Sequence, residues 1–158
     1  MKKILSLLLI TFLALPLFSQ EEEEDWPVGY TFETSILVDN QTVMTPYKGM
    51  IEFEIHHRFD KVTNGHKTLF GVYSPANIRL GLNYGITDKL MAAVGVTKDY
   101  SLWDFAGKYA VLQQTESGSM PVSMSLYGNV TVEARADENF GPPENFKSFH
   151  KLSYFAQL

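Results

Sequence analysis

The chain has no cysteine, which excludes disulfide scaffolds, thiol nucleophiles, thiolate zinc sites and a lipid-modified N-terminal cysteine. Basic residues are the minority, 13 Lys and Arg against 18 Asp and Glu for a formal net charge of −5. That balance argues against nucleic-acid binding, which needs a clustered basic surface. Gly 11 and Pro 7 are near average usage, too few for a collagen-like or low-complexity chain. Beyond the first twenty residues no apolar run is long enough for a membrane helix. No serine sits in a nucleophile elbow, and no phosphate-binding glycine loop occurs. What the chain has in excess is aromatic: 13% of residues, with Phe 11 and Tyr 8, a composition that suits strands. Its 158 residues are enough for one domain.

The first residues read as an address. Met1-Lys2-Lys3 is a positive start, Ile4 to Phe18 is almost wholly apolar, and Ser19-Gln20 opens a polar stretch. This is the pattern of a secretory signal peptide spanning 1–19, and the apolar run is short for a ~30 Å hydrocarbon core. Its removal leaves 11 basic residues, the 13 less Lys2 and Lys3, against 18 acidic ones, a net charge of −7. The next segment, 20–33, begins with five consecutive carboxylates from Glu21 to Asp25. Self-repulsion predicts a solvated, disordered tail, and contiguous acids lack the alternating ligand spacing of a calcium loop.

From Met50 onward the hydrophobic period is two. In 51–59, Ile51, Phe53, Ile55 and Phe59 alternate with Glu52, Glu54, His56 and Arg58. In 77–86, Ile78, Leu80, Leu82, Tyr84 and Ile86 oppose Asn77, Arg79, Gly81, Asn83 and Gly85. The pattern recurs over 90–97, 103–112 and 122–135, and begins again at 151–158. Such alternation is incompatible with an amphipathic helix, whose stripe repeats at 3.6. Thr87-Asp88-Lys89 reads as a tight hairpin turn and Thr115–Met120 as a short connection, whereas 60–76 and 136–148 are long. Short turns on one rim and generally longer loops on the other are the asymmetry of a transmembrane barrel.

Alternation alone does not say which face is inside. A soluble periplasmic barrel binding a small apolar ligand would bury the apolar face, and a membrane barrel would turn it to lipid. Strands of about 9–14 residues and aromatics near their ends (Phe59, Tyr84, Trp103) favour the membrane. The expected fold is therefore an all-β, antiparallel, up-and-down transmembrane barrel over 34–158. Only about six strands are visible, fewer than the eight that such barrels need, so the expectation is the N-terminal part of a longer barrel, or closure as a homo-oligomer.

Ile55-His56-His57-Arg58-Phe59, Leu69-Phe70-Gly71, the hairpin sequence from Asn77 to Asp88 and Lys108–Gln113 together resemble a β-barrel family of unassigned function from Bacteroidota, DUF5777-like, with an "HRF" motif and an "NIRLGLxYGITD" hairpin. The likeness runs from about Phe32 to Leu158. Members of that family are longer, which supports the truncated reading. The resemblance implies an outer-membrane or envelope barrel and carries over no catalytic residue.

On these grounds the candidate interior residues are Glu52, Glu54, His56, Arg58, Arg79, Asn83, Asp104 and Lys108, with Arg79 expected to pair with Glu52 or Glu54. His56 and His57 point to opposite faces, so they cannot share one metal; His56 with Glu52 and Glu54 is a metal alternative to an ordinary polar wall. No catalytic residue, metal or cofactor is assigned. The expected partners are outer-membrane lipid and the barrel-assembly machinery.

Overall fold

The computed structural model describes residues 25–29, 31–142 and 145–158. The segment 1–19, read from the sequence as a signal peptide, and most of the acidic run lie outside them. The described part of that tail is not free. Val28 N–H donates to the Gln114 carbonyl at 2.8 Å and Glu116 N–H to that of Trp26 at 2.9 Å, while Asp25 accepts from Ser117 and Ser119.

Each alternating segment is a strand. After the two-residue strands β1 (Ile36–Leu37) and β2 (Asn40–Gln41) come β3 (Ile51–Arg58), β4 (Asn77–Thr87), β5 (Leu90–Thr97), β6 (Leu102–Leu112), β7 (Met124–Glu133) and β8 (Leu152–Gln157). The last six form one antiparallel meander in sequence order, and the rest of the described residues lie in short 3-10 turns and loops. No helix among the described residues is long and apolar enough to cross a membrane, which leaves strands untouched.

Asp88 and Lys89 make the β4–β5 turn, and the Thr87 hydroxyl accepts from the Lys89 and Leu90 N–H groups at 3.2 and 3.0 Å. On the same rim the β6–β7 connection runs over 113–123, longer than the Thr115–Met120 segment suggests, because strand pairing stops at Leu112 and resumes at Met124. The opposite rim carries long loops at 59–76 and 134–151, but only 98–101 between β5 and β6. The asymmetry of the rims is thus partial.

The sheet is not closed: β3 and β8 are its outer strands. Burial across it is inverted relative to a soluble protein. On the outer face Ile51, Phe53 and Ile55 are about 60% exposed, and Leu82, Phe105, Leu126 and Val130 are exposed as well. On the concave face Lys108 is 1% exposed, Asn83 3% and Asp104 6%. Apolar Met91, Ala110 and Tyr127 are the buried exceptions among them.

Segment 34–48, counted with the barrel in the sequence, is not part of the wall. The hairpin β1–β2 lies over the concave polar face, and the chain then returns to the rim of the 88–89 turn. There Thr45 Oγ1 donates to the Asp88 carbonyl and Lys48 N–H to its carboxylate, both at 3.0 Å.

Candidate functional site: the polar interior

Period two sends alternate residues of β3, β4 and β6 inward, and register brings them together. Glu54 lies opposite Gly81, Glu52 opposite Asn83, and Gly95 opposite Asp104. Arg79 is the hub. Its Nη1 donates to Glu54 Oε2 at 2.9 Å, its Nη2 to Asp104 Oδ1 at 2.5 Å and its Nε to Asp104 Oδ2 at 3.0 Å. The planar guanidinium matches a carboxylate edge with two donors, which a lysine could not do.

Glycines make room for this cluster. A Cβ at Gly81 would stand 2.7 Å from Arg79 Nη1, and one at Gly95 would stand 2.4 Å from Nη2 and 2.5 Å from Asp104 Oδ2. The arginine therefore lies flat over two strands. Gly85 serves a different neighbour, since its Cβ would meet the Tyr47 carbonyl oxygen at 2.0 Å. Gly128 faces open space, and Gly107 meets only an ordinary contact, so close approach explains three of these strand glycines and not the other two.

Around the hub, Asn83 Nδ2 donates to Glu54 Oε1 at 2.6 Å and to Glu52 Oε2 at 3.1 Å. Glu52 does not reach Arg79; it accepts from the Ser35 N–H at 3.1 Å instead. His56 Nε2 is 3.4 Å from Glu54 Oε2. Arg58 stands apart at the far rim, half-exposed and paired with Asp39 at 2.5 Å. Lys108 makes no carboxylate contact: its Nζ donates to the backbone carbonyls of Ser35 at 2.7 Å and Thr42 at 3.3 Å. Three carboxylates thus share one guanidinium, one imidazole and one amide in a buried cluster. Each removed partner would leave a buried charge uncompensated.

Six of the eight candidates form one neighbourhood: Glu52, Glu54, His56, Arg79, Asn83 and Asp104. Lys108 is linked to it by hydrogen bonds through Ser35, whose N–H binds Glu52 and whose carbonyl binds Lys108, and by the longer-range charges of Glu52 and Glu54. A cavity of ≈ 260 Å³ remains between Arg79, His56, Asp104, Asn129, Thr131 and the hairpin residues Ile36 and Asp39. Among the described residues no three His, Asp or Glu are placed to hold a metal ion together. The residues that sequence reasoning missed are Ser35, Gln41, Thr42 and Ser125. Their signal is weak, because the 34–48 segment has no period to place it on a face.

The comparisons agree with this geometry. The membrane-bound β-barrel domain family (DUF5777) matches residues 32–158, and the chain belongs to that family. The likeness carried by the HRF motif and the 77–88 hairpin holds at that level. No curated protein and no solved structure matches the chain.

Proposed function

We propose that this membrane-bound β-barrel domain forms wall strands of an outer-membrane barrel, with lipid on one face and a passive, non-catalytic polar interior on the other. The observation that carries the reading is the inverted burial, with Lys108 and Asp104 enclosed while Phe53, Phe105 and Leu126 are exposed. A soluble barrel with an apolar ligand inside needs the reverse. Its water-facing surface here would be one apolar patch well beyond the few hundred Å² that monomers tolerate.

The outer edges of β3 and β8 fit the same reading. Unpaired backbone groups in hydrocarbon cost several kcal/mol each, so further strands of a longer chain, or a second copy, would pair them. Insertion by the barrel-assembly machinery follows from an outer-membrane destination. Glu54 and Asp104 are tied up by Arg79 and Glu52 by neutral donors, which favours a structural wall or a restricted passive conduit over a strongly ion-selective pore.

Cell fractionation of the full-length protein tests the proposal. It predicts recovery with the outer membrane, a need for detergent to stay monodisperse, and an electrophoretic shift on boiling. Release by osmotic shock as a detergent-independent soluble protein would contradict it.

A further inference from the structure

We propose that the hairpin 34–42 is an internal plug latched onto Lys108, and that its withdrawal opens a water path along the polar face. The inference rests on the membrane-barrel reading and adds to it a closed state held by named contacts.

The hairpin lies lengthwise over the concave face and touches both sides of the open sheet. At one end Ser35 N–H binds Glu52 on β3, Ser125 Oγ on β7 is 3.4 Å from the Thr42 carbonyl, and Gln41 and Gln157 on β8 exchange two hydrogen bonds at 3.1 and 3.0 Å. At the other end the tip residue Asp39 reaches Arg58. Lys108 lies at the first of these ends, with its ammonium on the carbonyls of both hairpin legs. A lysine that is 1% exposed and has no carboxylate contact is unusual, because burial without a counter-ion is costly. Glu52 and Glu54 act on it only at longer range, and its direct partners are two backbone carbonyls of one segment, so the lysine's hydrogen bonds depend on the hairpin being seated.

The same contacts show why the seat is releasable. They are polar, and water can replace them. Its apolar anchoring is slight: Leu37 and Val38 are exposed, and only Ile36 turns inward, half-buried against the polar cavity. Val38 holds a left-handed backbone (φ 59°), which a β-branched residue adopts only under constraint. A segment fixed by hydrogen bonds and one lysine, with a strained tip, is built to be seated and unseated rather than to serve as core.

These 158 residues hold no cysteine, so single cysteines placed in them can be followed in the full-length protein in outer membranes, any cysteine elsewhere in the chain being replaced first. Ser125→Cys lies under the seated hairpin, and its labelling by a membrane-impermeant maleimide reports the plug. Slow labelling is expected with Lys108 present. Lys108→Met removes two charge-assisted hydrogen bonds and is expected to speed labelling about tenfold or more. Equally fast labelling in both, with the barrel membrane-embedded and heat-modifiable, would overturn the plug and leave the barrel reading intact. A protein that never reaches the membrane overturns the barrel reading instead. Should Lys108→Met fail to fold, the pair Gln41→Cys and Gln157→Cys decides with Lys108 in place. Efficient capture by a short bis-maleimide, which adds one cysteine thiol to each end, supports the plug, and no capture in the folded barrel refutes it.

Discussion

Arg79 on β4 and Asp104 on β6 join across the intervening strand β5, by two hydrogen bonds of 2.5 and 3.0 Å that pass over Gly95. An arginine bridging three strands ties their register together, and it exists only because the strand between carries no side chain at the crossing. Arg79→Met leaves Glu54 and Asp104 buried without their cation. The expected loss is about 3–5 kcal/mol, read by equilibrium unfolding in detergent micelles. Neutralising both acids in that background, Glu54→Gln with Asp104→Asn, should return part of the loss.

Gly85 and Gly128 both interrupt strands, yet only Gly85 is enclosed. Alanine at 85 would press against the backbone of Pro46 and Tyr47, which cannot swing aside as a side-chain tip can. Gly85→Ala is expected to cost about 1–3 kcal/mol. Gly128→Ala meets nothing within 4 Å and should be close to neutral. Urea midpoints of the two variants make the comparison.

Much of this architecture is legible in the sequence, because a half-buried strand writes its face into every second residue. The boundaries of β5 follow from 90–97 directly, and those of β3, β4, β6 and β7 within two residues or so. The inward set follows with them. Arg79 with Glu54 is visible for the same reason, as neighbours on paired strands. Arg79 with Asp104 is not, since it spans two strands and depends on how a long side chain lies over a glycine. The hairpin 34–42 is the largest omission. Its contacts run from Ser35 to Lys108 and from Gln41 to Gln157, sequence separations of 73 and 116, and no local periodicity encodes them.

Val130 and Thr131 are chain neighbours with opposite surroundings. Val130 is exposed on the outer face, and Thr131 lines the interior cavity. Val130→Arg is expected to cost roughly 2–4 kcal/mol near mid-bilayer. Thr131→Arg should cost far less, because its guanidinium enters a polar space. Refolding into lipid bilayers measures both.

Asp25 holds the N-terminal segment to the 113–123 connection outside the membrane span. Hydrogen bonds from Ser119 and Ser117 favour its charged form and hold its carboxyl well below the usual carboxylate range. A depressed native value places the sign: the contact is fully present above the ordinary value of 3.8 and is lost only as pH falls through the lower one. Hydrogen exchange at the Ser117 amide should therefore be as protected at pH 4.5 as at pH 7, once corrected for intrinsic rates. Asp25→Ala should lose that protection at both.

The sidedness of the sheet underlies the whole account, and a cysteine scan of β7 tests it most directly. Single cysteines at 126 to 131 of the full-length protein, each carrying a fluorophore, are exposed to a quencher confined to the lipid acyl chains. The account predicts strong quenching at Leu126, Gly128 and Val130 and little at Tyr127, Asn129 and Thr131. Quenching that is uniform along the strand, or strongest at the second set, would contradict it.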